Sequence, residues 1–380
     1  MRNTASHILH VAQPVEGGVA RVVTDLAAAQ LAAGLRVTVA CPVGGTLTDA
    51  LRSAGCTVVR WDATRSPGPG LPYEVRQLAR LMRAVRPDLV HAHSAKAGLA
   101  VRLAVRGRRP TVFQPHAWSF EAAEGLVARS ALGWERFGAR WATRVVCVSE
   151  AERRTGERHG ITATWRVVPN GVGTGRFRPD GDRAMSGAGP LVVCVGRLCR
   201  QKGQDVLLAA WPEVVRRMPG ARLVLVGDGP DADRLRRDAP ASVTFAGAAR
   251  STAAWYRAAD VVVLPSRWEG MALAPLEAMA CGRPVVVTDV DGARESLPPG
   301  RAPSCLVPSE DPAALARALT TLLRDEPLRV ALGAEGRAHV LASHALRHVT
   351  DAVTDVYREL LGVATAPVVG PNEGRKCITT

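Results

Sequence analysis

The chain has 380 residues, room for two domains each with its own core, and 47% hydrophobic against 22% charged residues describes a globular protein. No apolar run approaches the roughly 20 residues needed to cross a bilayer, which argues against a helical membrane protein. Net charge is +14 and uneven: residues 1–170 carry 23 Lys and Arg against 12 Asp and Glu, while residues 171–380 carry 26 against 23. The first half is therefore the one expected to meet something anionic, whether a phospholipid surface, a lipid phosphate or nucleic acid.

In chain order, the opening MRNTASHILHVAQP lacks an apolar signal core and a cleavage-like site, so it reads as a first strand. Six more short β-branched runs follow in the first half: RVTVAC, TVVRW, LVHAHS, PTVFQPH, RVVCVS and WRVVPN. LVVCVG, ARLVLVG, VTFAG, VVVLPS, PVVVTD and SCLVP make six in the second. Helical patterns such as VARVVTDLAAAQLAAG and YEVRQLARLMRAV lie between most of them. Apolar strands alternating with helices predict parallel sheets covered on both faces, and two such series predict two Rossmann-like, doubly wound α/β domains facing a cleft.

The Gly- and Pro-rich stretch at 170–190 marks the boundary. The expected division is residues 1–175, then 188–345, then a helix over 346–362 packing back near the first domain, and a disordered tail over 363–380. The eight cysteines show no metal-ligand or CxxC spacing and several sit in strand-like runs, as expected of buried thiols in a cytoplasmic protein.

Ligands of open α/β sheets bind outside the carboxyl ends of the strands, so polar residues just after strands are the candidates. Gly17 and Gly18 follow the first strand, where backbone must approach a ligand closely. His116 stands at a strand end, where a satisfied structural histidine is the plain alternative. Arg197 and Lys202 follow LVVCV and suit a pyrophosphate, Arg as a bidentate donor and Lys as a point charge. Only three of the 49 basic residues are lysines, which singles out Lys202.

PSRWEGMALAPLEAMACGRPVVV sets Glu269 and Glu277 eight residues apart. Pro275 at a first helical position and Gly282 past the last make PLEAMAC one short helix, with Ala274 as its N-cap and Glu277 in its first turn. Ala274 offers no side-chain acceptor, leaving N–H donors free for a phosphate. Each carboxylate alone has a plain alternative, Glu277 complementing the helix dipole and Glu269 solvated.

GRLCRQKG, LVGDGP and PSRWEGMALAPLEAMACGRPVV, together with EGGVARVV, HAHSAKAG, FQPHAWSF, VVCVSE and VVPNGV, resemble the retaining glycosyltransferases of family 4, built on the two-domain GT-B fold. The resemblance covers nearly the whole chain. It implies that Arg197 and Lys202 bind the diphosphate of a nucleotide-sugar and stabilise it as leaving group. It implies that Glu277 accepts from the ribose hydroxyls and Glu269 from hydroxyls of the donor sugar, with backbone near Gly270, Met271 and Ala272 aiding. Gly17 and Gly18 would let the first loop approach diphosphate and acceptor, and His116 would sit near the reacting centre. Ala272 departs from the family's frequent glycine. Configuration would be retained by front-face attack, the leaving phosphate taking the acceptor's proton.

The chemistry suits these residue types, since charge building on a leaving diphosphate is best met by fixed cations. No DxD-like motif or metal-ligand cluster is evident, Asp289-Val290-Asp291 following another strand, so no metal or other cofactor is expected. A glycosidase pair of carboxylates would leave Arg197 and Lys202 unexplained. The expected activity is transfer of a hexose or N-acetylhexosamine, from a UDP-sugar by preference or a GDP-sugar, to a lipid-linked glycan or a natural-product scaffold. A nucleotide-sugar 2-epimerase on the same fold is the alternative. A nucleic-acid-binding protein is a more distant one, disfavoured by 4% aromatic residues and no recognised module. Arg76, Arg80 and Arg83, repeated in spacing by Arg102, Arg106 and Arg109, lie opposite the apolar stripe Val75, Leu78, Met82 and Val85. They form either a solvated face or a contact with anionic lipid at the inner face of the membrane.

Overall fold

The computed structural model describes residues 5–187, 189–249 and 251–362. All thirteen predicted strands form: β1 (His7–Ala12), β2 (Arg36–Cys41), β3 (Thr57–Arg60), β4 (Leu89–His93), β5 (Thr111–Gln114), β6 (Arg144–Cys147), β7 (Trp165–Val167), β8 (Leu191–Val195), β9 (Arg222–Val226), β10 (Val243–Gly247), β11 (Val261–Leu264), β12 (Val285–Thr288) and β13 (Leu306–Val307). The central strands are buried end to end, as β1, β4, β8 and β11 are. Their near-continuous apolar runs follow from helices covering both faces of each sheet.

Every pairing is parallel, and both sheets have one winding. The first runs β3-β2-β1-β4-β5-β6-β7 and the second β10-β9-β8-β11-β12-β13. Strand order reverses between β1 and β4 in one sheet and between β8 and β11 in the other, and the crevice at such a reversal is where doubly wound sheets bind ligands. The loops after β1, β4 and β5 thus face the first crevice, and those after β8 and β11 the second.

The C-terminal helix Leu346–Leu361 packs on the first sheet, not the second. Val349, Val353, Val356 and Tyr357 share a core with Ile8, Leu89, Val112 and Val146. The helix Leu71–Val85 buries Leu78 and Met82, with Val75 and Val85 partly covered and Arg76, Arg80 and Arg83 exposed. The other half of the expected basic face does not exist. Arg102 is 1% exposed, bonds Glu135 Oε2 at 2.7 Å and lies 3.9 Å over the Phe113 ring, while Arg109 lies beyond the helix Ser94–Val105.

Lys96 is likewise internal, 2.7 Å from Glu74 Oε2. Removing one partner of such a dry pair costs far more than losing an exposed one. Seven cysteines are buried and unbridged. Cys377 and the tail expected to be disordered lie outside the described residues. Among the described residues, no helix is long and apolar enough to cross a membrane.

Candidate active site

The second-domain side of the cleft is built from two loops tied into one unit. Lys202 ends a single 3-10 turn, Arg200–Lys202, after β8, and Glu269 lies on the loop after β11. Arg267 N–H donates to Gln201 O at 2.8 Å, Gln201 Nε2 to Trp268 O at 3.0 Å, and the Arg267 guanidinium to Arg200 O at 2.8 Å. Arg267 also grips both oxygens of Asp205 at 2.9 Å, a bidentate pair. Gly203 permits this approach: its φ is +63°, and a Cβ there would stand 2.0 Å from Pro265 O.

Between the loops, Lys202 Nζ donates to Glu269 Oε1 at 2.5 Å, and Ser266 Oγ donates to the same oxygen at 2.7 Å. The ammonium is therefore held at the mouth of the second crevice by the carboxylate that is itself a site candidate. Arg197 is partly exposed beside it, and among the described residues its guanidinium has no protein partner.

The carboxylate of Glu277 takes Tyr256 Oη at 2.7 Å and Thr252 Oγ1 at 3.4 Å, both on Oε2. Burial pushes its pKa above the usual carboxylate range, against the Tyr256 bond and the nearby Arg21 and Arg176 charges. The helix begins two residues earlier than expected: it spans Leu273–Ala280, its N-cap is Ala272 and not Ala274, and Glu277 lies in the second turn. Pro275 is tolerated at the third helical position because the first N–H groups have no intrahelical acceptor. No side chain caps this end. Thr252 and Tyr256, from the segment after β10, are the residues that reach Glu277. Tyr256 is fully buried, so it has no face to stack on.

The N-terminal half holds the backbone between the two carboxylates. Ser149 Oγ donates to Gly270 O at 2.8 Å, and Asn170 Nδ2 to Met271 O at 2.7 Å. In a planar trans peptide the N–H points opposite to the carbonyl, so these bonds orient the Met271 and Ala272 amides. Among the described residues neither amide has an acceptor. Gly270 must be glycine here, since a Cβ would lie 2.8 Å from Val148 and 2.9 Å from both Ala117 N and Glu152 Oε1.

Below, Thr155 Oγ1 bonds Asp291 Oδ2 at 2.5 Å, and Glu295 accepts the Glu150 and Ala151 amides at 2.7 and 2.8 Å. Asp291 and Glu295 thus brace the two halves, a role their sequence context does not reveal.

Gly17 and Gly18 are exposed and form the first turn of the helix Gly17–Ala32 rather than a loop before it. A Cβ on Gly18 would lie 3.9 Å from Leu273 Cδ1, so the glycines face the uncapped helix start across the cleft. His116 and Ala117 adopt φ of +59° and +107°, a conformation that L side chains resist. Glu152 pins that turn, accepting Ala117 N–H at 2.6 Å and Val148 N–H at 2.7 Å. Burial raises the Glu152 pKa to about 7 and that of Glu121 on the same loop to about 7; burial lowers His116 to about 3.

Behind His116, the ring nitrogens of His10, His91 and His93 lie within 4.8 Å of one another, a spacing that could suit a metal. Both nitrogens of His10 and both of His93 already have protein partners, as does His91 Nδ1, so an ion would have to displace those bonds.

Comparison with known proteins settles the family. A profile described as Glycosyltransferase Family 4 matches residues 16–176, and one described as Glycosyl transferases group 1 matches residues 189–325. A GDP-mannose-dependent alpha-(1-6)-phosphatidylinositol monomannoside mannosyltransferase of Mycobacterium tuberculosis is 34% identical, the match covering 77% of this chain and 81% of that one. The chain belongs to glycosyltransferase family 4.

A lipopolysaccharide core biosynthesis mannosyltransferase of Rhizobium meliloti is 31% identical over 60% of this chain and 69% of its own. Among solved structures, sucrose-phosphate synthase of Thermosynechococcus elongatus superposes with a TM-score of 0.80 at 24% identity, covering 94% of this chain and all of that one. Anabaena HepE in complex with UDP-glucose gives 0.79 at 21%, covering 93% and 99%. The fold is GT-B and the protein is a glycosyltransferase, as its sequence motifs imply.

Proposed function

We propose that this glycosyltransferase moves mannose from GDP-mannose, with retention of configuration, to a phosphate-bearing polyol such as a glycolipid headgroup. The observation that carries the site is the convergence of Arg197, Lys202, the uncapped helix start and the Met271 and Ala272 amides between the two glutamates. Two cations and several free N–H donors suit a diphosphate. Glu277, held by Tyr256, suits the ribose hydroxyls, and Glu269 the hydroxyls of the sugar.

The donor is argued from relatives. Those of Mycobacterium tuberculosis and Corynebacterium glutamicum are described as GDP-mannose-dependent, and the latter is 33% identical. This departs from the UDP-sugar favoured on sequence alone. The basic N-terminal half supports an anionic acceptor, and relatives named for phosphatidylinositol mannoside, lipopolysaccharide core and inositol 3-phosphate support a phosphorylated polyol.

In the step itself, the bond from the anomeric carbon to the diphosphate oxygen breaks and its electron pair stays on that oxygen. The acceptor oxygen bonds the same face of the carbon, and its proton passes to the departing phosphate. Lys202 must leave Glu269, or share it, to meet that phosphate. Each then gains a ligand partner, so exchange of the ion pair is offset on binding. Arg197 and Lys202 supply the charge stabilisation that a divalent ion would otherwise provide, a proposal checked by turnover unchanged in excess chelator.

Calorimetry with GDP and UDP, wild type beside Glu277→Ala, tests the donor site. Micromolar GDP binding lost in the variant is expected. UDP binding alone would overturn the GDP assignment, and binding of neither would overturn the site.

A further inference from the structure

Three histidines meet beneath the cleft in a chain that the transfer step above does not use. Gln30 Oε1 lies 2.8 Å from His10 Nε2, His10 Nδ1 lies 2.9 Å from His93 Nε2, and His93 Nδ1 lies 3.2 Å from His116 Nε2. The rings of His10 and His93 stack at 5.2 Å, and those of His93 and His116 at 5.5 Å. Gln30, His10 and His93 are fully buried, while His116 is partly exposed at the cleft. His91 stands beside the chain and bonds Tyr357 Oη at 2.6 Å.

A neutral imidazole has one N–H and one bare nitrogen. Burial lowers His10 to about 4, His116 to about 3 and His93 well below its ordinary value, so all three are neutral at pH 7. Rings bonded one to the next then have only two arrangements, with every N–H pointing toward Gln30 or every one pointing away. Gln30 presents Oε1 to His10 and leaves its own Nε2 unpartnered; a carbonyl oxygen accepts and cannot donate, so this placement selects the first. His10, His93 and His116 each carry the proton on Nε2, and His116 Nδ1 is left bare.

We infer that Gln30, His10 and His93 set the tautomer of His116, so that it presents a bare Nδ1 to the bound sugar as an acceptor for a hydroxyl. They are positioning residues, and His116 is the group that meets substrate; this rests on the proposed place of His116 at the reacting centre. The turn at His116 and Ala117, fastened by Glu152, keeps the ring on the relay. A wrong tautomer would offer a donor where an acceptor is needed, the kind of error that costs turnover more than binding.

The test is the ring 15N spectrum of the full chain labelled at histidine, taken without ligand. All three relay histidines are expected as Nε2–H tautomers. In Gln30→Leu, His116 becomes a mixture, kcat with GDP-mannose falls by about tenfold or more, and the donor KM moves by less than about twofold. Gln30→Glu keeps an acceptor oxygen, holds the wild-type tautomers and recovers turnover relative to Gln30→Leu.

An Nδ1–H His116 in the wild type overturns the relay, as does a Gln30→Leu protein whose tautomers and kcat match wild type. Should Gln30→Leu not fold, the wild-type spectrum decides the tautomer, and Gln30→Glu turnover decides its use. A folded wild type with the Nε2–H pattern but no turnover of any GDP- or UDP-sugar would overturn the proposed function and not the tautomer setting.

Discussion

The two halves share a winding and differ in what they bury. Around β8, β9, β11 and β12 the second half packs apolar side chains, and its buried carboxylates Glu269 and Glu277 stand on the loop and helix after β11. The first half buries His10, His91, His93, Lys96, Glu74, Arg102 and Glu135 within its fold. The second half is an apolar scaffold with its polar groups at the rim, whereas the first half carries polar networks through its interior. Buried polar networks hold one arrangement strongly when fully paired and fail sharply when one member is lost.

That difference can be broken at its strongest point by Glu135→Ala, which leaves Arg102 charged and unpaired in the core. A loss of about 3–5 kcal/mol in chemical denaturation is expected. The same truncation at half-exposed Glu213, paired with Arg216 and Arg217 on the second half, should cost far less.

Next in size is the rim of the second half. Lys202→Ala should leave the circular dichroism spectrum intact and lower kcat/KM by about 10²–10³-fold, the scale of losing a fixed donor to developing charge. Near-normal turnover would mean the ammonium only steadies Glu269.

Acid should separate the halves further. His10 and His116 have depressed pKa values in the native protein, about 4 and about 3, because burial opposes their charge. Between those values and 6.5 the unfolded chain binds more protons than the native one, so stability is full above 6.5 and falls as pH drops toward 4. Glu152 and Glu121 run oppositely: raised to about 7, they make stability decline as pH rises from 4.5 to 7. His91 and His93 on β4 are also lowered well below 6.5 by burial and, with His10, outweigh the two glutamates, so hydrogen exchange at pH 5 should find β1 and β4 opening before β8 and β11. Equal protection would refute the contrast.

The smallest effect is Tyr256→Phe, which removes one hydrogen bond from Glu277. Nucleotide affinity should weaken about five- to tenfold, roughly 1 kcal/mol, by calorimetry. No change would detach Glu277 from the ribose.

Much of this was legible in the sequence. The thirteen strands, the alternation with helices and the Gly282 stop are local signals, written in runs of β-branched residues and in glycine where φ is positive. Lys202 and Glu269 were also legible, because the carboxyl ends of parallel strands point to one crevice. Less visible was the start of the helix at Leu273, since proline fits any of the first three or four positions.

Arg102 was misplaced because its spacing from Arg106 suits an exposed face equally well. What turns it inward is Glu135, thirty-three residues on. Ser149, Asn170, Asp291 and Glu295 look like ordinary loop and cap residues until the two halves are set together.

By itself the sequence determined two parallel α/β sheets and the order in which candidate residues leave their strands, because both depend on periodicity and composition within a few residues. Only the tertiary structure decided which polar groups meet. His10 and His93 are eighty-three residues apart and touch because β1 pairs β4. Lys202 reaches Glu269 because β8 pairs β11. Contacts between strands far apart in the chain are set by how the sheets wind, and no local pattern of residues records that.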